Sequence, residues 1–212
     1  MDQSRLPASA YGMLLALDKA GKHSWVTDIK TLLNKYGFGY VFISQCVENE
    51  AIFMQQFELR VRDCAIQEWK ESIEQNKRLQ FYSIFKDNNN VEPYLTHVNQ
   101  YKFKSALARI RCSSHCLQIE MGRRTRLDLN DRVCQFCFNT GSNIIESESH
   151  FLLECPLYDE LRQKYIPSYY WKFPNTVKLC NLMKSKNASV LNDLAKYIFF
   201  SEKKRLVYLR GR

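Results

Sequence analysis

One short stretch of the 212-residue chain carries residues of the types, and at the spacing, that hold a metal ion: Cys134-Gln-Phe-Cys137, twelve residues, His150, four residues, Cys155. Two thiolates two residues apart can bite one ion from a tight turn. A His and a Cys separated by four can bite it from a helical or turn segment, completing the tetrahedral nitrogen and sulfur set that zinc prefers. With all four positions taken by protein ligands, no place remains for a water nucleophile, so the one zinc ion expected here is structural rather than catalytic. Its binding should mainly stabilise the fold, because structural zinc sites couple about 10–16 kcal/mol of binding free energy to folding. The spacer from Phe138 to Ser149 is polar and loop-like, a polar Asp128-Leu-Asn-Asp131 turn precedes the first pair, and Pro156 follows the last ligand.

Five further cysteines complete the eight. Cys112-Ser-Ser-His115-Cys116 puts two thiols at i, i+4, where they could join Cys134 and Cys137 around an ion or serve as nucleophile with His115 as base. The plainer reading is two buried cysteines beside a polar histidine, since adjacent chain positions seldom give catalytic geometry and no orienting carboxylate is suggested. Cys46, Cys64 and Cys180 have no His or Cys at ligand spacing and read as small buried hydrophobes. The N-terminus lacks a charged-then-apolar secretory signal, and no apolar run reaches 18 residues. The expected setting is therefore soluble and intracellular, nucleus or cytoplasm, with no membrane partner and with reduced thiols rather than a disulfide framework.

The elements that must position the ligands read as helices. Only 7 Gly and 5 Pro argue against a turn-rich β architecture, and 45% hydrophobic residues suffice for a core. Apolar periodicity predicts helices over 9–20, over 25–35 with Ser24 as N-cap, and from about 49 to 76. In that last span Phe53, Phe57, Val61 and Cys64 form a stripe from which Ala65, Trp69 and Ile73 drift, so the helix is either kinked or broad-faced. Helices are also expected over 99–112, 157–165, 175–185 and 188–209, the last capped by Asn187. Gly37 to Ile43 is the one strand-like run, Leu117 to Glu120 a short apolar segment, and Gly122 a loop. The polar break Lys86-Asp-Asn-Asn-Asn90 ahead of Pro93 marks the expected boundary between an N-terminal helical region, 1–90, and a zinc-binding helical region, 91–212. The fold class is thus mostly α, with a Cys-Cys-His-Cys zinc module at 134–155 between helices.

Charge is concentrated on either side of that module. Residues 101–132 hold Lys102, Lys104, Arg109, Arg111, Arg123, Arg124, Arg126 and Arg132 against three acids, and residues 196–212 hold six basic residues against Glu202. Each segment carries +5 while the whole chain carries +9. Localised positive charge suits a polyanion, because neutralising phosphates releases condensed counterions. Tyr101, Phe103, Tyr165, Tyr169, Tyr170 and Trp171 lie among or near these charges, where aromatic rings stack on unpaired bases.

Three blocks in order carry a resemblance: Lys104-Ser-Ala-Leu-Ala-Arg-Ile-Arg-Cys-Ser-Ser-His115-Cys-Leu-Gln-Ile-Glu120-Met-Gly-Arg123, then Asp131-Arg-Val-Cys134-Gln-Phe-Cys137, then Glu148-Ser-His150-Phe-Leu-Leu-Glu-Cys155-Pro-Leu-Tyr158. Together they resemble the C-terminal region of non-LTR (LINE-type) retrotransposon reverse transcriptases, over about residues 100–165. The resemblance implies a zinc-binding tail that follows a polymerase domain and helps hold template RNA or target DNA during target-primed reverse transcription. On it Cys134, Cys137, His150 and Cys155 are the zinc ligands. Arg109, Arg111, Arg123 and Arg124 are candidate phosphate contacts, joined on charge alone by Lys102, Lys104 and Arg126. The twelve-residue spacer is unlike the four-residue spacer of retroviral nucleocapsid knuckles, so base recognition of that kind does not transfer.

The chain contains no Asp-Asp dipeptide of the kind a reverse transcriptase palm uses, nor a carboxylate and histidine set suited to an endonuclease. No catalysis of its own is expected. The leading expectation is a zinc-stabilised module that binds RNA or DNA. The alternatives are a zinc-stabilised protein-interaction domain, with a polymerase domain as one partner, or a degenerate remnant of a retroelement.

Overall fold

Ser24 and Asn187 stand at the N-caps of two of the helices, as expected. A computed structural model describes residues 6–211 as a succession of helices without a β-strand; an isolated bridge pairs Val133 with Ile145. Chain contacts divide it into two units, 1–69 and 70–212.

The first unit holds α1 (Leu6–Lys19), α2 (Trp25–Lys35), α3 (Gly39–Ser44) and most of α4 (Glu50–Glu74), which continues into the second. The Ser24 backbone N–H donates to Thr27 Oγ1 at 3.1 Å, closing the first turn of α2. Within this unit α2 buries Val26 and Leu33, whereas α1 buries none of its residues. Phe38 packs edge-on against Phe53 and Phe57 of α4, with ring centroids 5.6 and 5.5 Å away. The strand expected over 37–43 is instead the helical turn α3. Gly37, at φ 84°, turns the chain, Phe38 is fixed by its aromatic neighbours, and the β-branched run beyond it has no partner strand. Helix α4 runs unbroken over its 25 residues.

The second unit adds α5 (Gln80–Phe85), α6 (Pro93–His97), α7 (Tyr101–Arg111), α8 (Gln118–Arg124), α9 (Gln135–Asn139), α10 (Asp159–Tyr165), α11 (Ser168–Trp171), α12 (Thr176–Met183) and α13 (Ala188–Arg210). Helix α13 is its spine and packs along α7, α6 and α10. Leu191, Leu194, Ala195 and Ile198 recur at helical spacing and are all but inaccessible, in one core with Leu107, Ile110, Leu152 and Leu182. The boundary lies earlier than the polar break at 86–90. Phe81 and Phe85, four residues apart on α5, put both rings into this core, so 77–90 belongs to the second unit. Gly122 is likewise no loop. It lies within α8, where a Cβ would come within 2.5 Å of Arg132 Cγ, so glycine lets that side chain cross the helix backbone and donate to the Leu127 and Ile119 carbonyls.

Asn187 Oδ1 accepts from the backbone N–H groups of Ser189 and Val190 at 2.9 and 3.3 Å. Asn187→Ala should therefore cost about 1 kcal/mol. Urea unfolding followed by circular dichroism should show a lower midpoint with an unchanged slope; an unchanged midpoint would remove the cap from the account of α13.

Candidate metal centre

The four Cys and His positions converge. The ligand atoms of Cys134, Cys137, His150 and Cys155 lie within 4.8 Å of one another and all four residues are buried. Cys155 Sγ is 3.8 Å from Cys134 Sγ and 3.9 Å from Cys137 Sγ, and His150 Nε2 is 3.3 Å from Cys137 Sγ. An ion bound tetrahedrally at about 2.3 Å from sulfur sets sulfur–sulfur edges of about 3.8 Å. The cluster has the size and donor set to hold one metal ion.

Local hydrogen bonding builds each half. Cys134 ends a short antiparallel pairing in which its N–H donates to the Ile144 carbonyl at 2.7 Å and Glu146 N–H donates to Arg132 at 2.8 Å. From Cys134 the chain enters α9, and Ser142 N–H returns to the Cys137 carbonyl at 2.8 Å across a turn at Gly141, φ 88°. A five-residue spacing would leave His150 and Cys155 on different sides of an α-helix. Residues His150–Glu154 instead form a π-helical turn, and Cys155 N–H donates to the His150 carbonyl at 2.8 Å. The wider i→i+5 turn brings the two ligands to one side. Arg162, buried, donates to the Leu152 carbonyl at 3.1 Å and the Cys155 carbonyl at 2.7 Å, and so satisfies acceptors that no helix continues to use.

The electrostatics favour a cation. A hydrogen bond from the Cys155 thiol, with His150 beside it, holds Cys134 well below the usual thiol range. Its hydrogen bond to Cys134, burial and the charge on that sulfur together drive Cys155 far above that range, and burial with the same charge pushes Cys137 up. Holding all three as thiolates would therefore take positive charge among them. His150 Nδ1 is buried without a hydrogen bond, and the nearest carboxylate oxygen, on Glu154, is 3.7 Å away. Ser149 Oγ steadies that carboxylate at 3.0 Å.

His115 stands apart from the ion site. Its Nε2 faces Glu148 Oε1 at 3.1 Å and its Nδ1 accepts from the Leu117 N–H at 3.3 Å, a satisfied core histidine. Its neighbours Cys112 and Cys116 are exposed rather than buried, as is Cys46, while Cys64 and Cys180 are half-buried. Cys46, Cys112 and Cys116 are thus surface thiols rather than small core hydrophobes, whereas Cys180 packs against the edge of the core.

The basic residues are divided by their partners. Arg111, expected among the phosphate contacts, is instead buried: it is 3% exposed, donates to Met183 O at 2.7 Å and Glu92 Oε2 at 2.6 Å, and lies 4.5 and 5.1 Å from the Phe85 and Tyr94 rings. It is a core cation, inaccessible to phosphate. Arg109 pairs with Glu202 at 2.6 Å, Arg123 with Glu120, and Lys104 Nζ donates to the Leu95 carbonyl at 2.7 Å. Lys102, Arg124 and Arg126 are exposed. Of the six aromatic residues noted beside these charges, Phe103 is buried and only Tyr101 and Tyr169 are more than half exposed.

Sequence reading misses a buried clasp. Arg205 of α13 binds both oxygens of Glu146 at 2.7 Å, and Glu146 Oε2 also accepts from Gln118 N–H at 2.7 Å. It ties the ligand-bearing segment to α8 and α13. Fifty-nine residues separate the pair, and no local pattern announces it. No family model, curated protein or solved structure matches the chain.

Proposed function

We propose that Cys134, Cys137, His150 and Cys155 hold one structural zinc ion, and that the helical module built on it is a non-catalytic binder of RNA or DNA, akin to the tail of a retroelement reverse transcriptase. The convergence of four buried nitrogen and sulfur donors carries the zinc reading. The ion would neutralise the thiolates and link the Cys134 turn to the π-turn, and the Glu146–Arg205 clasp would pass that constraint to α13. Three thiolates and an imidazole favour zinc over oxygen-seeking cations.

The polyanion reading is supported by cations left without an acid. Arg124 ends α8 and Arg126 lies two residues beyond it, at φ 60°, both exposed. The test is fluorescence anisotropy of labelled single-stranded RNA, single-stranded DNA and duplex DNA with the zinc-loaded protein, in rising salt. Binding should weaken steeply with salt, and Arg124→Ala with Arg126→Ala should flatten the logarithmic salt slope by roughly 1.5 while leaving the melt unchanged. Salt-independent affinity, or none, would end this reading. It would favour a protein partner such as a polymerase domain, for which exposed Leu6, Met13, Trp25 and Ile43 of the first unit provide apolar surface. Among the described residues no helix is long and apolar enough to cross a membrane.

A further inference from the structure

Helices α7 and α13 lie side by side, and where their outer faces meet, aromatic rings and lysines alternate. Phe199 and Phe200 are at 5.4 Å and each packs on Phe103, at 5.2 and 6.0 Å. Phe200 is 36% exposed, and Tyr165 of α10 lies nearly parallel to it, 12° between planes and 6.0 Å between centroids. Lys102 Nζ sits 5.7 Å and Lys203 Nζ 4.6 Å from the Phe199 ring, and Lys164 Nζ lies 5.2 Å from Tyr165. The acids nearby are already engaged: Glu202 by Arg109, Glu160 by Lys204 at 3.2 Å, and Asp193 by Lys196 at 3.1 Å. Net positive charge is left on Lys102, Lys164 and Lys203, and all three are exposed.

We propose that this α7–α13 seam is the face that binds a single-stranded polynucleotide, with a base stacked on Phe200 and Tyr165 and backbone phosphates on Lys102, Lys164 and Lys203. The assignment rests on the polyanion reading above and gives it a site and a strand state. A cation–ring contact made by an exposed lysine is worth only about 0.5–1 kcal/mol, so the stems over Phe199 and Tyr165 can swing to phosphate. Stacking needs an unpaired base, because a duplex keeps its base faces covered; single strands are favoured for that reason. An acidic peptide would satisfy the lysines but gain nothing from the parallel rings.

The test uses the full zinc-loaded chain and labelled oligo-dT, oligo-U and a duplex of the same length. Single strands should bind more tightly than duplex, and the two homopolymers report whether the sugar matters. Lys102→Glu with Lys203→Glu should weaken single-strand binding roughly tenfold or more at low salt. Phe200→Leu keeps an apolar side chain against Phe199 but removes the stack and should weaken binding about tenfold, whereas Phe200→Tyr should restore it. Melts of all variants identify any that fail to fold, and the exposed lysine pair tests the face independently of the ring. If Arg124→Ala with Arg126→Ala weakens binding while the lysine pair and Phe200→Leu do not, the seam is wrong and the polyanion reading survives. If wild type prefers duplex, the single-strand assignment falls. If wild type binds none of the three, both fall together.

Discussion

Cys137→Ser is expected to abolish stoichiometric zinc binding and to dismantle the fold from Cys134 through Arg162. About 10–16 kcal/mol of binding free energy is coupled to folding in small zinc modules, as large as the roughly 5–15 kcal/mol that separates a native domain from its unfolded chain. The geometry explains why the loss spreads. His150, Phe151, Leu152, Leu153 and Cys155 are all at most 2% exposed, so the π-turn is enclosed on nearly every side. Phe151 meets Tyr158 and Tyr197, at 4.9 and 6.0 Å, and its carbonyl accepts from Tyr197 Oη at 2.6 Å. Releasing the two ligands frees the segment that buries these rings. Metal analysis should show less than one zinc per chain, and amide exchange should quicken through 134–162 and the facing part of α13, while α2 keeps its protection. Chelation of wild type should do the same, more readily as pH falls, because protons compete with the metal for the thiolates. Full zinc content with an unchanged melt would remove Cys137 from the site.

Arg111→Ala is expected to destabilise the second unit by about 2–3 kcal/mol, the cost of losing the charge-assisted hydrogen bond to half-buried Glu92 and the bond to the buried Met183 carbonyl. Glu92 is the group left behind. Burial would raise its carboxyl, but Arg111, then Lys86 and the Tyr82 hydroxyl, hold it below the ordinary value. A depressed carboxylate stabilises the fold above the unfolded pKa and loses that contribution as pH falls through the folded one. Wild type should therefore resist mild acid through this pair, and Arg111→Ala should shift its acid unfolding to higher pH. Denaturant unfolding at neutral and acidic pH tests both parts. A loss below 1 kcal/mol would show the guanidinium to be dispensable and reopen it as a surface cation.

What the sequence makes legible is local. Asn187 marks a helix start through its own side chain and Ser24 through the reach of Thr27 back to its N–H, the period of α13 marks its buried face, and the Cys and His spacing names the candidate ligands because each pair closes a short turn. Arg111 could not be sorted from Arg109 or Arg124, since what separates them is a glutamate ahead of α6 and a carbonyl of α12. Gly37 to Ile43 misled because β-branched residues favour a strand only when another strand pairs with it. The Glu146–Arg205 clasp and the crossing of Gly122 by Arg132 are tertiary facts with no periodic trace. The π-turn is intermediate: the four residues between His150 and Cys155 permit it, and only the burial of the three apolar ones among them requires it.

That turn also sets where the chain tolerates changes in length. Phe138 to Ile144 run exposed between the Cys pair and the returning segment, so an insertion there would lengthen a surface loop at little cost in closure entropy. Between His150 and Cys155 there is no such slack. Deleting one residue could leave two donors able to chelate from an α-helical turn, but it would rotate Phe151, Leu152 and Leu153 out of register with Tyr158 and Tyr197. The module is thus elastic on the side that ends at the first thiol pair and fixed in length on the side that ends at Cys155.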